Sequence, residues 1–194
     1  MVDLAPVGPD DDATGEPEPT AAARLLLDGF DRIAASVIQA VDGLDEDQLA
    51  IRPAPSANSI AWLVWHITRI QDDHLADAFG HEQVWTAEGW EDRFGLPFDS
   101  AVTGYNHSSD QVGAVRVDGS LLVGYHRAVH HRTQRALRRL EDRDLDRVVD
   151  ESWDPPVTLG VRLVSVVTDN LEHAGQAAYI KGLLGEDDTE GGED

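Results

Sequence analysis

The sequence predicts an all-α fold: a four-helix bundle with a long connection between helices two and three and a short extended hairpin before helix four. Three observations carry this. Apolar residues recur at three- and four-residue steps in four long segments. Strand-like patterning is confined to one short stretch around the Pro155-Pro156 pair. A chain of 194 residues, 41% of them hydrophobic, can build one core and contains no apolar run fit for a membrane span.

Helix one runs from Thr20, its candidate N-cap, to about Leu44 and puts Leu26, Phe30, Ile33, Val37 and Val41 on one face. The sequence LDEDQLAIRPAPSANS breaks it, because Pro53 and Pro55 cannot sit inside a helix. Helix two starts near Asn58 or Ser59 and ends near Gly80, with Ile60, Leu63, Val64, Ile67 and Ile70 on its buried face. A long connection follows from His81 to about Gly119, broken by helical turns near Glu88–Phe94 and Ser108–Val115. Connections of that length inside a compact domain are often functional lids. Helix three, Ser120 to about Leu140, turns Leu122, Tyr125, Val129, Ala136 and Leu140 inward. LDRVVDESWDPPVTLG then reads as two extended pieces around a Pro-Pro turn. Helix four, Leu159 to Leu184, points Leu163, Val166, Val167, Leu171, Ala174 and Ala177 at the core.

The formal charge is −22, with six unopposed acids in residues 1–19 and six more in residues 186–194. Such segments bury too little apolar surface to order themselves, so the expected domain is residues 20–185 between two disordered acidic tails. An acidic body repels phosphate backbones, which disfavours nucleic-acid partners. The N-terminus lacks the basic start and apolar stretch of a signal peptide, and a cytoplasmic protein is expected. With no cysteine, a metal ion would have to be held by His, Asp, Glu or Asn. The fingerprints of P-loop, dinucleotide-binding and serine-hydrolase sites are absent.

Polar residues intrude on two apolar faces. In NSIAWLVWHITRIQDDHLADAFG, His66 sits at the edge of the core stripe. In VVTDNLEHAGQAAYIKGLL, Asp169 and His173 lie four apart, so both project from one side of the helix, a turn apart. A His from one helix and an Asp/His pair from another make three ligands with positions left open for water or substrate, the pattern of a catalytic ion. Zinc suits such donors, as do nickel, iron and manganese. Asp73 returns to nearly the angle of His66 two turns on, and Asn170 points into the bundle. Either could support a ligand through its second N–H, and Asp73 could serve as a base. On helix three His126 lies at the edge of the apolar face, while His130 and His131 turn away from it toward a polar, arginine-rich outer face, and His74, His81 and His107 read as surface residues. Trp62 and Trp65, with Trp85, Trp90 and Tyr105, could wall a cleft.

NSIAWLVWHITRIQDDH, followed near the C-terminus by VVTDNLEHAGQAAYIKGLL, resembles the DinB-like superfamily of four-helix metalloproteins. The resemblance is closest to the actinobacterial branch that includes mycothiol-dependent transferases and maleylpyruvate isomerase. It spans roughly Leu25 to Gly185 and implies ligands at His66, Asp169 and His173, the last pair lying just before Gly175. The superfamily usually has His or Glu where this chain has Asp169, a carboxylate one methylene shorter than Glu.

The implied function is transfer of a low-molecular-weight thiol, such as mycothiol, to a small electrophile at a divalent ion. Partners are then small molecules, with neither nucleic acid nor membrane; a homodimer is compatible with the sequence. Hydrolysis by metal-bound hydroxide uses the same ligands. A rival of another class is a non-catalytic, stress-associated binding bundle without metal, which the Asp169 departure favours.

Overall fold

A computed structural model describes residues 18–190. In chain order the elements are α1 (Ala21–Val41), α2 (Glu46–Leu49), α3 (Ile60–Phe79), α4 (Val84–Ala87), α5 (Trp90–Phe94), α6 (Ser109–Gly113) and α7 (Gly119–Leu137). A 3₁₀ turn (Asp142–Asp146), strands β1 (Val148–Asp150) and β2 (Val157–Thr158), and α8 (Leu159–Glu190) complete it. The four long helices form the expected bundle, and β1 and β2 pair antiparallel as the expected hairpin. Of the tails expected at 1–19 and 186–194, residues 1–17 and 191–194 lie outside the described residues, and α8 continues to Glu190. No helix among the described residues is long and apolar enough to cross a membrane.

Local chemistry fixes the helix ends. Thr20 caps α1 by accepting from the Ala23 N–H, and Ser59 caps α3 by accepting from Trp62. Each such cap stabilises its helix by about 1 kcal/mol. Gly80 closes α3 in the left-handed conformation (φ 69°), which costs glycine little. The short α2, not anticipated from the sequence, forms because Asp45 and Gln48 make a reciprocal capping box ahead of buried Leu49.

Around the bundle, α1 and α3 each pack against both α7 and α8, so α1 and α3 sit on one diagonal. That order places α3 directly beside α8. Most of α3 is buried, with Ile60 through Arg69 all inside, as befits a helix wrapped by neighbours on every side. On α8 the inward line runs Leu163, Val166, Asn170, Ala174, Ala177. Asn170 therefore points into the core as expected, whereas Leu171, also expected inward, is 41% exposed. Its amide donates to Gln71 Oε1 (3.3 Å), and Gln71 donates to Thr133 Oγ1 (2.8 Å), which joins α8, α3 and α7 by side-chain bonds.

The long connection folds back over α3 and is pinned there by Arg69. This guanidinium is fully buried and donates to the carbonyls of Ser100 (3.0 Å) and Val102 (3.2 Å) and to Gln83 Oε1 (2.7 Å). Asp72 holds the other side, accepting from the Val84 and Trp85 N–H groups and the Tyr125 hydroxyl, each at 2.8 Å. Buried charges persist only when paired and hydrogen-bonded, and both conditions are met here.

Candidate metal centre

The packing of α3 on α8 brings His66, Asp169 and His173 together: each offers a ligand atom, all within 4.8 Å of one another. The two imidazole rings lie 5.0 Å apart, nearly edge to face at 72°. His66 is buried, whereas Asp169 and His173 open toward solvent.

Hydrogen bonds decide which nitrogens are free. His66 Nδ1 lies 2.6 Å from the Thr103 carbonyl, which can only accept, so Nδ1 carries the proton and Nε2 keeps its lone pair. His173 Nδ1 donates likewise to Gln176 Oε1 (3.0 Å), and its Nε2 stands 3.7 Å from Asp169 Oδ1. Burial is the main force holding His66 below the usual histidine pKa, reinforced by nearby His173 and opposed by the Thr103 bond and the Asp169 charge. A neutral imidazole with a fixed Nε2 lone pair is the form that binds metal.

The donor set fits a divalent cation. Three electron-pair donors converge, and the buried Asp169 Oδ2 has no hydrogen-bond partner. A buried carboxylate oxygen without a donor costs free energy that a cation would offset. A tetrahedral ion with bonds near 2.1 Å separates its ligand atoms by roughly 3.4 Å, so the three groups would draw together slightly on binding.

Aromatic side chains wall the site on the α3 side. Trp62 stacks on His66 at 4.6 Å and 13° and meets His173 edge-on at 6.4 Å. Trp62 Nε1 donates to His107 Nδ1 (3.1 Å), and His107 packs between Trp65 and Phe98. His107 is thus a wall residue of the site and not the surface histidine expected; burial lowers its pKa. Trp85 and Trp90 pack instead on Tyr125, and Tyr105 is 80% exposed, so these three do not wall the triad.

The proposed supporting groups fare differently. Asp73 accepts from Gln83 Nε2 (2.7 Å), and the second N–H of His66 goes to the Thr103 carbonyl instead. Asn170, beside Asp169 in the chain, is buried with Oδ1 unpartnered and anchors that stretch of α8 to Gln71. Sequence reasoning missed Thr103, Gly104 and Arg69. Gly104 has φ 101°, and a Cβ there would sit 2.7 Å from His66 Nδ1 and 3.0 Å from Trp65. The glycine lets the backbone approach closely enough for the Thr103 bond, and a lone Thr-Gly in a loop gave no signal of it.

The helix-three histidines also depart from expectation. His126 is buried, its Nδ1 3.0 Å from Thr68 Oγ1, while His130 faces Asp31 of α1 (3.0 Å). His131 has the exposed position expected of it, whereas His130 is half-buried. The phase of α7 is set by Leu122, Tyr125 and Val129, and His126 follows them inward. His74 is half-buried against Arg162 (2.8 Å).

Comparison with known proteins supplies the family and the fold. The model of the Mycothiol-S-transferase family, a DinB-like family, matches residues 25–185. Among solved structures, a conserved protein of a locus from Enterococcus faecalis superposes with a TM-score of 0.77 at 28% identity, covering 82% of this chain and 94% of that one. No curated protein matches the chain.

Proposed function

The chain belongs to the mycothiol-S-transferase family, and from that premise we propose that it transfers a low-molecular-weight thiol of the mycothiol type to a small electrophile. His66, Asp169 and His173 would hold the divalent ion, with zinc foremost among the candidates. The observation that supports this reading best is the convergence of these three donors on a solvent-open face. A divalent ion there would deprotonate a bound thiol and present it as thiolate.

The protein's own residues do the rest. The Thr103 carbonyl and Gln176 fix both imidazoles as Nδ1–H tautomers, so no proton must leave a ligand before binding. Trp62 backs His66 and lowers the polarity around it. With no cysteine in the chain, the nucleophilic sulfur must arrive with the cosubstrate. In the transfer a sulfur–carbon bond forms, the leaving group departs with its electron pair, and the thiol proton passes to solvent.

The test is an assay of zinc-loaded protein with mycothiol and an activated aryl halide, following thiol loss and conjugate together. Wild type is expected to form conjugate, and His173→Ala to lose both activity and metal. Loss of halide without loss of thiol would replace the transferase reading with metal-assisted hydrolysis. No reaction from protein shown to hold its ion would favour a binding role.

A further inference from the structure

One hollow of the surface lies far from the triad. It encloses about 640 Å³ between the C-terminal half of α7, the 3₁₀ turn, and the adjoining ends of α3 and α8. Phe79, at its edge, stands roughly 20 Å along α3 from His66 at the α-helical rise. Arg132, Arg135, Arg139 and Arg147 line it with His81, over an apolar floor that includes Phe79, Leu140 and Leu159. A single carboxylate, Asp144, shares the lining, and one of its oxygens is occupied by the Glu141 N–H at 3.0 Å.

This concentration of positive charge is unusual for a chain of net charge −22 with 37 acids to 15 Lys and Arg. Acids are so abundant that an exposed cation should find one nearby. Arg132 is paired with Glu88 and held by the Glu82 carbonyl, and Arg147 donates to the Ala78 carbonyl at 2.8 Å. Arg135 and Arg139 have no carboxylate or carbonyl partner among the described residues. Arg132 and Arg135 share one face of α7, and Arg139, in the turn just past its end, joins them in the lining, where like charges repel. The α7 dipole favours cations near its C-terminus, but it does not require them to share one hollow.

We propose that this cavity binds a small organic anion, with a phosphate or carboxylate head and an apolar body, at a site separate from the metal centre. Arg135 and Arg139 grip the head, since guanidinium groups match both anions in bidentate geometry. Arg132 and Arg147, already oriented by backbone carbonyls, add charge without further ordering. Phe79, Leu140 and Leu159 receive the apolar body.

The test titrates phenyl phosphate, benzoate and phenol into the full chain by calorimetry. One site per chain is expected for one or both anions, and the tighter of the two identifies the head group. Arg135→Ala/Arg139→Ala should weaken binding by about tenfold or more through loss of two charge-assisted contacts. Arg127→Ala, on α7 but outside the lining, should leave it unchanged, and both variants should keep the wild-type melting temperature. The proposal is overturned if phenol binds as well as the anions, if neither anion binds at millimolar concentration, or if the double variant binds like wild type.

Discussion

Gly104 is confined to glycine twice over, by φ 101° and by the 2.7 Å that would separate a Cβ from His66 Nδ1. Gly104→Ala should therefore push the loop off His66, break the Thr103 bond and lower zinc affinity by at least about tenfold, the cost typical of losing a ligand's supporting hydrogen bond. Unfolding should cost about 1–3 kcal/mol less, the scale of local backbone strain. Wild-type zinc titration and melting would show that the Thr103 contact does not matter. At Asp169 the shorter carboxylate sits 3.7 Å from His173 Nε2. Asp169→Glu should hold or raise zinc affinity by reaching further, while Asp169→Ala and His173→Ala should each weaken it strongly; equal calorimetric titrations would discard these ligands. His126 supplies a separate pH effect. Thr68 spends its hydroxyl proton on the Val64 carbonyl (2.8 Å), so His126 Nδ1 must donate to Thr68 and its Nε2 is buried bare. Burial, with neighbouring His130, pushes its pKa from 6.5 to about 3. Between those values the unfolded chain holds the extra proton, so stability falls as pH drops from about 6.5 toward 3, by on the order of 4 kcal/mol over the whole span. His126→Gln, which can still donate to Thr68, should flatten that dependence in urea unfolding at pH 7 and pH 4.5. A variant with the wild-type slope would assign the proton elsewhere.

Among the elements, α3 and the connection behind it act as one unit. Arg69 and Asp72, both buried, fasten residues 83–85 and 100–102 to α3, and the same loop delivers Thr103 and Gly104 to His66. Arg69→Ala should destabilise the protein by about 3–5 kcal/mol, the cost of stripping a buried charge of its partner. It should also open residues 98–107 to protease well before the bundle unfolds. Cleavage at the wild-type rate would mean the loop is held by other contacts. The sequence announced the four long helices because caps and apolar periodicity are local, additive signals. It announced the triad because His66 lies within the buried face of α3, while Asp169 and His173, four residues apart, flank the inward line of α8. It could not announce the path of the connection, which rests on contacts such as Arg69 with Ser100 that depend on the fold itself. The same limit placed His107 on the surface, since nothing near it in sequence shows that Trp62, Trp65 and Phe98 will enclose it.

At the scale of the whole molecule, the diagonal arrangement of α1 and α3 makes α3 a neighbour of α8, and this adjacency alone creates the triad. The structure separates two regions of opposite charge preference, a donor set for a cation on α3 and α8 and an arginine-lined hollow at the far end of α3. The arrangement predicts that they titrate independently, so an anion filling the hollow should leave zinc affinity unchanged within about 0.5 kcal/mol, the tolerance seen for distant sites. The central claim, an ion held by His66, Asp169 and His173, is tested most directly by anomalous scattering at the zinc edge, from crystals of the untagged chain grown with one equivalent of zinc. The expected result is a single strong peak at about 2.0–2.2 Å from His66 Nε2, a carboxylate oxygen of Asp169 and His173 Nε2. A peak at His126 and His130 or on the acidic surface, with none among the three, would contradict it.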